Sequence, residues 1–127
     1  MKKHYLNPTR FYTHAVSVEG AGKVIYVSGQ VSWDAAGKVV GKGDMRAQSE
    51  QVFRNVTDQL KAAGAGWDDV IKMNGYMVGL SPERVAAYRE VRQRYLKEGA
   101  LPASTLVGVE ALVDPDLLLE VEVVAVV

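Results

Sequence analysis

Two carboxylates, Glu120 and Glu122, stand two residues apart inside an otherwise apolar run, Leu118-Leu119-Glu120-Val121-Glu122-Val123-Val124-Ala125-Val126. The run is rich in β-branched residues and free of glycine and proline, so it reads as a strand. Period two puts Glu120, Glu122, Val124 and Val126 on one face and Leu119, Val121, Val123 and Ala125 on the other. The second face is wholly apolar and must be core. The first mixes acid with valine, which suits neither plain solvent nor plain burial and suggests a subunit interface with a polar pocket. A carboxylate there, its pKa raised by burial and by a neighbouring acid, is equipped to position a water and move a proton. Glu120 is the candidate for that role. Pairing with lysine or arginine across a subunit seam is the alternative for Glu120 and the preferred reading of Glu122.

Other side chains could serve the same chemistry. Tyr12 can hold a substrate or a water. Ser28-Gly29-Gln30 ends the apolar run Val24-Ile25-Tyr26-Val27, and glycine just after a strand either admits a ligand to the backbone or marks a bulge. Trp33 follows in a loop, where a large aromatic covers a core edge or a binding cleft. Pro102-Ala103-Ser104-Thr105-Leu106 offers two hydroxyls and backbone amides. His14 shares a strand face with Tyr12 and is read as an ordinary strand histidine. No spacing of His4 or His14 with carboxylates supplies three metal ligands. Gly20-Ala21-Gly22-Lys23 lacks the framing of a phosphate loop, so neither metal nor cofactor is expected.

The chain has 127 residues, 48% hydrophobic and 24% charged, which suits one domain over residues 1–127. Fifteen basic and fifteen acidic residues cancel, giving no electrostatic reason to expect nucleic acid or an anionic membrane. Arg84, Arg89, Arg92, Arg94 and Lys97 crowd one segment, but Glu83, Glu90 and Glu98 interleave them, as on a solvated helix face. Cysteine is absent, which excludes disulfides and thiolate sites. Residues 1–8 lack the apolar run of a signal peptide and no segment is long enough to span a membrane, so a cytoplasmic address is expected.

The elements that must position these groups are legible in outline. Residues 1–10 read as an extended arm. Residues 12–18 and 24–28 read as an antiparallel hairpin about the turn Glu19-Gly20-Ala21-Gly22-Lys23. A short strand is expected at Lys38-Val39-Val40. Asp44 caps a helix whose stripe is Met45, Val52, Phe53, Val56, Leu60 and Ala63, with Gln48 and Ser49 among the polar fillers and Gly64 as the stop. Asn74-Gly75 is a strong hairpin signal, yet its flanks are too short, and one long strand over residues 70–78 is preferred. Ser81-Pro82-Glu83 opens a second helix carrying Val85, Tyr88, Val91, Tyr95 and Leu96, ended by Gly99. Two amphipathic helices on one face of a mixed sheet make an α+β sandwich, whose bare face needs a cover, most simply another copy of the chain.

Several segments together resemble the Rid/YjgF family, also labelled endoribonuclease L-PSP. They are Tyr12-Thr13-His14-Ala15-Val16, Val27-Ser28-Gly29-Gln30, Asn55, Val70-Ile71-Lys72, Pro102-Ala103 and Glu120-Val121-Glu122, in the family's order along nearly the whole chain. The resemblance implies a chorismate-mutase-like fold and a homotrimer with a small-molecule ligand in each intersubunit cleft. Tyr12, Ser28-Gly29, the Pro102-Ala103 strand and Glu120 would line the cleft. The implied activity is hydrolysis of enamines and imines to a 2-keto acid and ammonia. A non-catalytic binding trimer is the alternative, and an endoribonuclease a third.

One departure follows Pro102-Ala103. Family deaminases carry arginine at the next position, where its planar fork holds a substrate carboxylate; this chain has Ser104. Charge-assisted bonds are worth about 1.5–3 kcal/mol each, so losing the fork would cost roughly 10²–10⁴ in binding. Neither Ser104 nor Thr105 can neutralise a carboxylate. Arg10 on the N-terminal arm is considered as a substitute and set aside, and the departure counts against 2-imino-acid deamination.

Overall fold

The acidic strand lies in the middle of the sheet. In the computed structural model, which describes residues 1–20 and 22–127, β6 (Leu119–Val126) is antiparallel to β3 (Val24–Val31) on one side and to β4 (Val70–Val78) on the other. β5 (Ala103–Val109) runs parallel to β4, giving the order β3-β6-β4-β5. Leu119, Val121, Val123 and Ala125 are buried at 1% exposure or less, while Glu120, Glu122 and Val124 are half-buried on the opposite face. Alternation along β6 therefore separates core from pocket.

Two helices cover the core face. α1 (Met45–Ala62) begins where the Asp44 carboxylate accepts from the Ala47 N–H, and α2 (Pro82–Arg92) where the Ser81 hydroxyl accepts from the Arg84 N–H. Each cap satisfies an N–H that the first helical turn leaves without a partner. α1 packs on β3, β6 and α2. Phe53, fully buried, stacks on Trp67 at 5.1 Å and meets Tyr95 at 5.1 Å. Burial of one such side chain contributes about 1.5–3 kcal/mol. Gln48 and Ser49, expected to be solvated, are fully buried instead. Gln48 donates to the Gly41 and Asp116 carbonyls and accepts from the Leu118 N–H, so its amide serves backbone groups that α1 would otherwise strand.

β4 is one unbroken strand, as preferred over a turn at Asn74-Gly75. Gly75 faces the core, and a Cβ there would sit 2.9 Å from Leu106 Cδ1 and 3.4 Å from the Tyr88 hydroxyl. Packing, not turn chemistry, selects the glycine.

The N-terminal pairing differs from expectation. The arm is β1 (Lys2–Pro8), paired antiparallel with β2 (Thr13–Glu19) in a separate two-stranded sheet, whereas β3 pairs with β6. The Thr9 side chain closes the β1–β2 turn, bonding the Tyr12 carbonyl and the Phe11 and Tyr12 N–H groups. That turn sets the pairing from its own residues, leaving the next loop free to lead into the other sheet. Ala21, in the turn expected between β2 and β3, lies outside the described residues. Two smaller corrections concern boundaries. Residues 38–40 form only a bridge between Trp33 and Val39, and α2 stops at Arg92, well before Gly99. No helix among the described residues is long and apolar enough to cross a membrane.

Candidate functional site

Glu120 sits between Val31 of β3 and Tyr76 of β4. Beside it the β3–β6 register slips between Val27 and Gln30, so the segment carrying Ser28-Gly29 bulges. The Glu120 side chain fills the space at Gly29 where any other residue would place its Cβ, with Cδ and Cγ only 2.6 and 2.8 Å from that point. The bulge, one of the two readings from sequence, is present, and glycine is needed there because a carboxylate of the same chain lies on it. Glu120 has no hydrogen bond or ion pair among the described residues. Partial burial, and secondarily the nearby Glu122 charge, push its carboxyl above the usual carboxylate range.

Glu122 is differently furnished. It accepts from Tyr76 Oη at 2.5 Å and from Asn74 Nδ2 at 3.1 Å. Both donors are neutral and both come from β4, which alternation aligns with Glu120 and Glu122 on the outward face. The bond to Glu122, more than burial, raises the pKa of Tyr76, since ionising the phenol would break it. Tyr76 and Asn74 were not singled out from sequence. The period of β4 could have found them once β4 was paired with β6.

The remaining predicted residues divide among three places. Tyr12, Ser104 and Leu106 line a crevice of about 350 Å³ on the helix side, together with Tyr88, Arg89 and Arg92 of α2. Thr105 points to the opposite face of β5, where its hydroxyl meets Lys72 Nζ at 3.2 Å. Trp33, partly exposed, lines a groove with Gly29, Gln30 and Asn55, and the Asn55 amide donates to the Val31 and Trp33 carbonyls, fixing that loop against α1. Within one chain, then, Glu120 lies on Gly29, Ser28 lines a hollow with Tyr26, Asn74 and Glu122, and Tyr12, Ser104 and Leu106 line the helix-side crevice across the sheet. His14 packs its ring edge-on to Tyr12 at 5.0 Å. Among the described residues no group of three or more metal-ligating side chains converges.

Arg92 also escaped the sequence reading. It belongs to the cationic segment read as solvated, yet it is only 6% exposed. Burial draws its guanidinium below the usual arginine range, while the Tyr88 oxygen opposes the shift.

Known proteins resemble this arrangement over nearly the whole chain. A family model described as Endoribonuclease L-PSP matches residues 2–127. A RutC family protein of Pyrococcus abyssi is 34% identical over 114 residues, or 90% of this chain and 84% of that one. A Mus musculus protein named 2-iminobutanoate/2-iminopropanoate deaminase is 30% identical over 101 residues, or 80% of this chain and 70% of that one. The crystal structure of a Yersinia pestis protein of unknown function, from the conserved Rid protein family, matches with a TM-score of 0.87 at 35% identity, covering 100% of both chains. With a model spanning residues 2–127 and a shared chorismate-mutase-like fold, the chain belongs to the Rid/YjgF family.

Proposed function

We propose that the chain is a hydrolase of small imines or enamines, working as a cytoplasmic homotrimer in which each cleft combines two copies. One copy would bring Ser28, Gly29 and Glu120, and its neighbour Tyr12, Ser104 and Leu106. The observation that carries this reading is the Glu120 carboxylate, half-buried on Gly29 with no partner among the described residues. A structural acid would be paired; an acid kept free, with its pKa raised, suits proton transfer. The deaminase name of the mouse relative points to the same chemistry.

The reaction needs little else. Glu120 takes a proton from a water as the water oxygen bonds to the C=N carbon, and the imine nitrogen takes a second proton from solvent, balanced by the hydroxyl proton released at the end. In the carbinolamine so formed, Glu120 returns a proton to nitrogen. The C–N bond then breaks as ammonia leaves, and the hydroxyl proton is lost to give the carbonyl. Tyr12 orients the substrate, and closure between copies excludes bulk water beyond the reacting one.

The test uses an amino-acid oxidase to generate imines of varied side chain, following ammonia release with and without the protein. Acceleration of at least tenfold is expected. No acceleration for any imine leaves a non-catalytic binding trimer. Sedimentation should give three times the chain mass; a monomer would remove the two-copy cleft. The ribonuclease reading in the family model's description has less support, because a chain of zero net charge lacks the field that draws nucleic acid.

A further inference from the structure

The crevice on the helix side holds something Ser104 lacks. Arg89 and Arg92 lie one helical turn apart on α2 and line the same wall, facing Tyr12, Ser104 and Leu106. Neither has a carboxylate partner within salt-bridge distance among the described residues. The described ion pairs use Lys3, His4, Lys42, Arg46 and Arg94. Of the acids nearby, Glu90 is held by Arg46 at 2.6 Å, and Glu98, which lines a neighbouring cavity together with Arg89 and Arg92, is within salt-bridge distance of neither. Arg89, itself exposed, lies over the Phe11 ring at 4.1 Å. Tyr88, 3% exposed, places its hydroxyl beside Arg92.

A guanidinium buried to 6% exposure without an anion is costly to the fold. The cost makes sense where a ligand supplies the missing charge. We infer that Arg92, supported by Arg89, is the anion subsite of this chain and takes the carboxylate of a small imino or keto acid, from the helix instead of from the strand position held by Ser104. The inference rests on the reading that this crevice is one wall of the ligand cleft. It changes the substrate class: the carboxylate anchor is relocated, and 2-imino acids are again the natural choice. The hydrolysis is the one written above, and Arg92 and Arg89 are positioning residues that make no bond to the reacting carbon.

The experiment separates binding from turnover. The wild-type protein is titrated with 2-oxobutanoate and with its methyl ester, following amide chemical shifts. The acid should bind at least tenfold more tightly than the ester. Arg92→Met should weaken the acid at least tenfold and Arg89→Met about threefold, with the ester unmoved by either. Should Arg92→Met fail to fold, as thermal melts would show, Arg89→Met and Ser104→Arg decide. Ser104→Arg adds a third cation to the crevice and should not tighten the acid, whereas a pocket without its own cation would gain tenfold or more. Acid and ester binding alike, no binding of the acid, an unmoved Arg89→Met or a gain in Ser104→Arg would each overturn the subsite. Carboxylate binding without ammonia release would sink only the hydrolase reading. Ammonia release from uncharged imines without carboxylate binding would sink only the subsite.

Discussion

The two sides of the sheet treat charge in opposite ways. On the outward face, Glu122 is met by the neutral donors Tyr76 and Asn74, and Glu120 by nothing beyond the backbone of Gly29. On the helix side, Arg92 is met by the Tyr88 phenol and Arg89 by an aromatic ring. The opposite charges that would satisfy one another are held apart by the sheet itself. Elsewhere charges pair in the ordinary way, as Arg46–Glu90 does between α1 and α2 and Arg94, just past α2, does with Glu50 of α1. Exposed pairs of that kind are worth about 0–1 kcal/mol and mark nothing. Under the proposed function, the unmatched charges at half-buried Glu120 and buried Arg92 mark where a second molecule would sit.

The largest test of this contrast is Glu120→Gln. It should lower imine hydrolysis by about 10²–10⁴, the range for a general acid–base group, while Ser104→Ala changes it less than threefold. Equal losses in the two variants would erase the distinction between the sides. Next comes Gly29→Ala, whose methyl would have to displace the Glu120 carboxylate. A loss of about 1–3 kcal/mol in denaturant unfolding is expected, as for overpacking elsewhere, and activity should fall with it. Removing the hydroxyl in Tyr76→Phe should cost about 1 kcal/mol, because the site is half-exposed and water can replace the donor. Activity should hold within a few-fold if, as proposed, Glu120 and not the supported acid Glu122 does the work.

The smallest effect carries the clearest sign. The Glu120 carboxyl is raised above its ordinary value, so the folded state holds that proton more tightly than the unfolded chain. Stability from this group is therefore complete below the ordinary carboxylate pKa and declines as pH rises through the raised one. Glu120→Gln should melt slightly above the wild type at pH 7 and level with it at pH 4. A lower melting temperature at pH 7 would mean that Glu120 has a stabilising partner after all. Stability gained where activity is lost would be the trade expected if Glu120 works as proposed.

How much of this could be read from the chain depends on distance along it. β6, the capped starts of both helices and the long β4 were legible because alternation, Asp44, Ser81 and Pro82 act within a turn or a few residues. Gly29 was legible as a special position, and Glu120 as a half-buried acid. The pairing of β1 with β2 was not, since the Thr9 turn that fixes it resembles any polar linker. Gln48 read as a surface residue because the groups it satisfies belong to segments before and after α1 in the chain. Arg92 read as one cation among five, and only its place in the crevice between α2 and β5 shows that it alone of the five is buried. Polar residues reveal their roles through partners, and partners remote in sequence leave no local pattern.

Gln48 has a consequence for Glu120 as well. Its amide tethers residue 118 from seventy positions earlier in the chain, and the same amide holds the loops at Gly41 and Asp116. The acid two residues beyond that tether is thereby aimed by α1, not by the mobility of its own connecting loop. Hydrogen exchange should show the Leu118 amide among the slowest in the protein, and Gln48→Ala should speed it while leaving the tip of β5 at Val109 unchanged.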